Sequence, residues 1–286
     1  MTLQYSRAGR IEMEGVMPQS CGTEGVMQQG CGIVTGIIKR NAEIADRVYE
    51  MAIEAEEIKS FVPGQFVNMY LNDKSMLLPR PISICDAENG TVTVVYRIAG
   101  KGTTHLASCR AGGRIRLSTP LGNGYNIEGD YAGKGAALVA GGLGAPPMSG
   151  LAKALKKRGA VVNVFLGFQS GTFLVEKFEE ICENVFVATD DGSSGFHGNV
   201  AELLESGGIV YDVYFACGPK AMLKAVSGTA GKAGRDVQVS VEERMGCGYG
   251  ACFGCTCRVK QGDGTARMRV CRDGPVFLGK DVVWDE

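Results

Sequence analysis

The hydrophobic pattern of the chain changes period twice. Between residues 33 and 118 apolar and polar side chains alternate over short runs. Segments 33–39 and 47–54 carry β-branched residues, with Tyr49, Met51 and Ile53 on one face, and predict two strands. Pro63-Gly64 marks a turn ahead of a strand at 65–71. Two more strands are expected at 82–85 and 91–98, joined by Asn89-Gly90, a strong hairpin signal. A short helix at 103–109 and a strand at 114–118 complete the set. Five or six short strands with one helix predict a small antiparallel β-barrel.

After Gly133 the rhythm becomes strand–helix–strand. Strands are expected at 136–140, 161–168, 185–189, 213–216 and 237–241. Helices are expected between them at 147–158, 173–182, 200–205 and 222–229, the first with Leu151, Ala154 and Leu155 on one face. This alternation predicts an α/β doubly wound parallel sheet. Residues 241–286 hold too few apolar side chains to fold well unaided, so a bound group is expected to stabilise them. The pattern therefore divides the chain into a barrel at 33–132, a nucleotide-type domain at 133–240 and a small C-terminal module at 241–286. Residues 1–32 carry a near repeat, EGVMPQSCG then EGVMQQGCG, with no hydrophobic periodicity. They are expected to form a flexible extension.

Apolar residues make up 45% and charged residues 21%, which is the composition of a packed protein. The formal charge is −1 with no dense basic run, so the electrostatic footprint of a nucleic-acid-binding protein is missing. No apolar stretch approaches the roughly 18–20 residues of a membrane span. No charged start followed by an apolar segment marks a secretory signal, and a cytoplasmic protein is expected. Of 11 cysteines, five fall between positions 247 and 271, which in a cytosolic chain points to metal or redox chemistry. The only histidines, His105 and His197, leave little material for a hydrolytic triad, and no catalytic acid–base residue is expected.

The most specific motif is Cys247-x4-Cys252-x2-Cys255, with Cys271 sixteen positions further on. Its first three members have the plant-type [2Fe–2S] spacing. Gly246, Gly248, Gly250 and Gly254 let the backbone wrap closely and aim N–H groups at sulfur. Four thiolates also suit zinc, but zinc sites usually show paired C-x2–4-C knuckles, and Cys271 has no such partner. Cys257 shares strand parity with Val259 in the strand-like stretch 256–260, which turns it toward the apolar side. Cys271 is therefore expected as the fourth ligand and Cys257 as a packing residue.

Two further constellations point to nucleotides. Arg80-Pro81-Ile82-Ser83, Val95-Tyr96-Arg97 and Gly102-Thr103 combine an arginine with a helix N-terminus, suited to a pyrophosphate, and a hydroxyl suited to a flavin ring. Taken singly, Arg80 reads equally as a surface charge and Gly102 as a turn. In the second domain, Gly141-Gly142-Leu143-Gly144-Ala145-Pro146-Pro147 joins the first strand to the first helix. Proline replaces the last glycine of the G-x-G-x-x-G fingerprint, yet proline suits a first helical turn. Asp190, at the end of the third strand, and Cys217-Gly218-Pro219, after the fourth, fall at carboxyl ends of strands, where ligands bind in such sheets. Cys217 either faces a nicotinamide or packs as a small hydrophobe. Gly167-Phe168-Gln169-Ser170, after the second strand, offers no cation to a 2′-phosphate, which predicts NAD over NADP.

The order RPIS, VYR, GxGT, GGLGAPP, CGP, EERMGCGYGACFGC and DGPVF resembles the ferredoxin-reductase superfamily. Within it, the chain resembles the electron-transfer subunits of NAD-dependent dihydroorotate dehydrogenase type B, over about residues 33–277. The resemblance implies FAD held by Arg80–Ser83, Val95–Arg97 and Gly102-Thr103, and a [2Fe–2S] cluster on Cys247, Cys252, Cys255 and Cys271. It also implies NAD in the second domain. Such subunits work with a separate FMN-containing catalytic subunit that oxidises dihydroorotate in pyrimidine (UMP) biosynthesis, in a heterotetramer with two of each. The competing readings are a related flavin/iron–sulfur NAD(P)H reductase serving ferredoxin and a zinc-bearing binding module on an inactive scaffold. The N-terminal repeat has no counterpart in the pattern, and the resemblance leaves the role of Cys257, a fifth cysteine, open.

Overall fold

The computed structural model describes residues 32–73 and 75–284, so the expectation for the N-terminal repeat lies outside the described residues. The first unit is a closed antiparallel barrel of strands β1 (Ile33–Ala45), β2 (Val48–Glu54), β3 (Phe66–Tyr70), β4 (Arg80–Glu88), β5 (Thr91–Arg97) and β6 (Arg114–Ser118). Their order around the barrel is β1-β2-β5-β4-β3-β6. Period-2 alternation fills its interior: Met51, Ile53, Val67, Met69, Ile84, Val92, Val94 and Tyr96 are all buried there. β1 runs past the predicted end because register shifts after Ile38 and Glu43 bend it around the barrel. Helix α1 (Lys101–Ser108) lays Leu106 on this core. Asn41 Nδ2 donates to the carbonyls of Leu106 and Cys109, both at 2.9 Å, and pins the end of α1 to β1.

The second unit is a seven-stranded sheet built from β7 (Gly135–Gly141), β8 (Val161–Phe168), β9 (Asn184–Thr189), β10 (Phe196–His197), β11 (Val213–Cys217), β12 (Val237–Ser240) and β15 (Val276–Leu278). Helices α2 (Ala145–Lys157), α3 (Val175–Glu179), α4 (Val200–Ser206) and α5 (Lys220–Lys232) connect them. The strand order is β10-β9-β8-β7-β11-β12-β15, parallel except for β15. β8 and β11 flank β7, so the winding reverses there and opens a crevice over the carboxyl end of β7. α3 is shorter than predicted. Phe173 packs edge-on against Phe168 and Leu174 takes a φ of 63°, so helical geometry starts only at Val175.

The cysteine-bearing segment forms a hairpin, β13 (Thr256–Gln261) and β14 (Gly264–Arg269), and then returns as β15 to cap the edge of the sheet beside β12. Neither β14 nor β15 is predicted beforehand: in GTARMR only Ala266 and Met268 alternate with polar residues, a weak signal without a β-branched apolar or aromatic residue, and three residues are too few for a period. Asn123, in the loop leaving the barrel, clamps this return. Its N–H donates to Gly274 O at 2.8 Å, and its side chain exchanges hydrogen bonds with the Val276 backbone. α2 packs across β4, where Lys153 pairs with Asp86 and Glu88. Tyr125, fully buried, donates to Ala216 O at 2.9 Å. Among the described residues no helix is long and apolar enough to cross a membrane.

Candidate functional site

The barrel gathers its three motifs on one rim. β4 and β5 are antiparallel neighbours whose ladder ends at Ile84 opposite Val94, so Arg80–Ser83 and Val95–Arg97 both lie beyond the same end of that ladder. Arg80 Nη1 donates to Leu78 O at 2.6 Å, which holds the guanidinium against the first turn of α1. There it touches Gly102: a Cβ at that position would overlap Nε and lie 2.5 Å from Cζ. Setting a cation against the positive end of a helix is unfavourable by itself and becomes favourable around a shared anion. The arrangement fits a pyrophosphate. Thr103 Oγ1 accepts from the Ala99 N–H at 2.8 Å and the Gly100 N–H at 3.2 Å, shaping the turn that feeds the helix.

Other members of these motifs serve packing. Tyr96 points into the barrel, donates to Asn41 Oδ1 at 2.9 Å and stacks on Tyr49. Val95 turns outward into the core shared with the second unit, while Arg97 is exposed. Ser83 shares the outer face of β4 with Cys85, which is buried in that same core. Sequence reasoning missed Arg47, Lys101 and His105, which line an open cleft beside the start of α1. Lys101 was readable inside the GKGT stretch. Arg47 was not, because its place depends on a turn with φ 57°.

The nucleotide-type crevice is built from two loops pressed together. Gly142–Gly144 forms a single 3-10 turn, and α2 begins at Ala145 with Pro146 and Pro147 in its first turn, where no intrahelical N–H is needed. A Cβ on Gly144 would overlap the carbonyl oxygen of Cys217, and one on Gly218 would lie 2.9 Å from Gly141 N. The carboxyl ends of β7 and β11 therefore meet at backbone contact, leaving the N-terminus of α2 at the switch point. The Cys217 thiol is buried, with Ser240 and Tyr125 as hydrogen-bond partners; burial pushes it up to about 12, which keeps it neutral. Asp190 is exposed at the end of β9, two strands away from β7.

The third place is the loop from Glu242 to Cys255. Cys252 N–H donates to Cys247 Sγ, Gly254 N–H to Cys252 Sγ, and Cys271 N–H to Cys255 Sγ, each at 3.4 Å. Burial works against the Cys247 thiolate, yet the backbone N–H groups of Tyr249 and Cys252 outweigh it and bring this thiol down to about 6. Cys271 moves the opposite way, up to about 12, through burial and then the adjoining Cys255 sulfur. The sulfurs thus fall into two contacting pairs, Cys247 with Cys252 and Cys255 with Cys271. Among the described residues no three His, Cys, Asp or Glu side chains close on a single ion. Two thiolates at each of two points is what a two-iron cluster with four cysteines can use. Cys257 is buried in the core beside Val259 and lies in neither pair; burial and then Glu243 push its thiol up to about 11. Arg269 braces the loop: it grips Asp273 through two nitrogens, donates to Gly250 O at 3.2 Å and lies over the Phe253 ring.

A flavin-type barrel joined to a doubly wound nucleotide sheet, with a cysteine loop lodged between them, defines a reductase of the ferredoxin-reductase class. A solved structure from a study of flavin-based electron bifurcation, the NADH-dependent reduced ferredoxin–NADP oxidoreductase, matches with a TM-score of 0.77 and 31% identity, covering 87% of this chain and 90% of that one. Residues 242–283 match the family described as the iron–sulfur cluster binding domain of dihydroorotate dehydrogenase B. The dihydroorotate dehydrogenase B (NAD(+)) electron transfer subunit of Bacillus caldolyticus is 45% identical over 84% of this chain and 94% of its own length. That of Bacillus velezensis is 42% identical over 86% and 96%. The chain belongs to the family of dihydroorotate dehydrogenase B (NAD(+)) electron transfer subunits, as the sequence resemblance implied.

Proposed function

We propose that this chain carries electrons between an FMN-containing dihydroorotate dehydrogenase subunit and NAD+, through a [2Fe–2S] cluster and FAD, in cytoplasmic pyrimidine biosynthesis. Nicotinamide moves electrons in pairs as hydride and an iron–sulfur cluster moves them singly; a flavin between them supplies the conversion. The protein's part is placement. Arg80 and the α1 N-terminus, with Ser83, Arg97, Gly102 and Thr103, would hold FAD on the barrel of 33–132, while Val95 and Tyr96 set that strand in place by packing on either side of it. Gly141, Gly142, Gly144, Pro146, Asp190, Cys217, Gly218 and Pro219 would frame NAD in 133–240. Cys247, Cys252, Cys255 and Cys271 would hold the cluster in 241–286. No side chain has to exchange a proton with substrate, which fits a chain with two histidines.

The observation that carries this reading is the cysteine loop, whose sulfurs accept backbone N–H groups and whose Cys247 carbonyl is bonded to Asn68 on the barrel strand next to the flavin motif. The 31% identity to a ferredoxin–NADP oxidoreductase supports a second reading, in which the acceptor is ferredoxin. Copurification with a catalytic subunit, two copies of each, separates the two. The test is a visible spectrum of the copurified complex with flavin, iron and sulfide analysis. A yellow-brown protein with one FAD and two irons on this chain is expected; a colourless, zinc-loaded one overturns the proposal.

A further inference from the structure

Asn68 is polar inside an apolar run, FVNMY, and its side chain is fully buried. Strand alternation turns Val67 and Met69 into the barrel, and Phe66 and Asn68 away from it, toward the cysteine segment. Asn68 lies directly across β3–β4 from Pro81, in the middle of the flavin motif. Its backbone N–H donates to Ser118 Oγ at 2.9 Å, and its Nδ2 donates to the carbonyl of Cys247 at 2.9 Å. One short side chain therefore spans from the strand beside the flavin motif to the peptide of the first cysteine.

The contact is tight on the loop side as well. The amide faces Gly248, where a Cβ would overlap Nδ2 and lie 2.5 Å from Oδ1 and 2.8 Å from Cγ. Gly248 also has φ +77°, so both its conformation and its neighbour require glycine. Among the described residues Oδ1 has no hydrogen-bond partner although it is buried. Leaving a buried carbonyl-type oxygen unpaired costs stability, which a leucine at this position would avoid. The bond from Nδ2 is the gain set against that cost.

We propose that Asn68 is a positioning residue for electron exchange between flavin and cluster: it locks the Cys247 peptide to the strand beside the flavin motif and so fixes the gap the electron crosses. The inference rests on the cofactor assignments of the proposed function. In the step it serves, one electron leaves one cofactor and enters the other. No bond forms or breaks at Asn68, and its carboxamide neither gives nor takes a proton.

The test uses the full chain in complex with its catalytic partner, carrying Asn68→Asp, Asn68→Ala or Gly248→Ala. The first keeps the shape and replaces the donor by an oxygen that repels the Cys247 carbonyl; the third displaces the same amide from the other side. Flavin and cluster absorbance are followed separately after anaerobic mixing with NADH. Flavin-to-cluster transfer is expected to slow about 10–100-fold, the usual effect of removing a support behind a metal ligand, while NADH-to-flavin transfer stays within one order of magnitude. In the two Asn68 variants the electron paramagnetic resonance spectrum of the reduced cluster is expected to shift at undiminished iron and flavin content. Equal slowing of both steps, unchanged transfer with an unchanged spectrum, or loss of iron from all three variants overturns the inference. A wild-type complex lacking flavin or iron would instead overturn the functional assignment on which it stands.

Discussion

The guanidinium of Arg80 fills the space that a Cβ on Gly102 would take, joining the start of β4 to the first turn of α1. Neither residue is near the other in sequence, and the contact leaves no room for a side chain at position 102. It places a cation and a helix N-terminus around one point, which is how a pyrophosphate is held without a dedicated pocket.

Gly102→Ala is expected to displace the guanidinium and Arg80→Ala to remove it. A hydrogen bond to a charged group contributes about 1.5–3 kcal/mol. Each variant should thus retain FAD about 10–100-fold more weakly. Flavin-to-protein ratio after gel filtration, with a fluorescence titration, measures this. Wild-type flavin content in both variants would show that the contact does not serve the cofactor.

Cys271→Ala is expected to lose or destabilise the cluster, whereas Cys257→Ala keeps the visible spectrum and the iron content. The two thiols differ in place: Cys271 contacts Cys255 Sγ, and Cys257 packs in the core beside Val259. Filling in for a small buried thiol, alanine at 257 should cost about 1 kcal/mol of stability, read as a modest fall in Tm. Iron loss from Cys257→Ala with retention in Cys271→Ala would reverse the assignment.

NADH is expected to be preferred over NADPH. The turn after β8 reads Gly167-Phe168-Gln169-Ser170, and Phe168 is committed to packing on Phe173. No Arg or Lys in that turn is available to a 2′-phosphate. Steady-state reduction of a dye by each nucleotide measures the preference, and a higher kcat/KM for NADPH would contradict it.

The isolated, cluster-loaded chain is expected to pass electrons from NADH to an artificial dye but not to oxidise dihydroorotate. Hydride transfer to FAD needs only the barrel and the nucleotide sheet. Dihydroorotate oxidation falls to the FMN-containing partner in the proposed division of labour. Orotate formation by this chain without its partner, followed by absorbance, would refute the division of labour.

The sequence by itself determined whatever is written within one short window. The alternation of Met51 and Ile53 or of Val92 and Val94 sets barrel strands, because a strand's two faces repeat every second residue. The strand–helix rhythm after Gly133 sets a parallel sheet, and the spacing of Cys247, Cys252 and Cys255 sets a wrapped loop. Tertiary structure alone decided which windows touch. Arg80 meets Gly102, Gly144 meets the Cys217 carbonyl, and Asn68 meets Cys247 across 179 positions. Such contacts follow from barrel closure and from the order of strands in the sheet, and periodicity carries no information about either. The same reason hid β15, whose three residues become a strand only because β12 offers an open edge. Asn68 left one local trace, a polar side chain in a buried run. Its meaning appears only when β3 is set between the flavin motif on β4 and the loop that carries the cysteines.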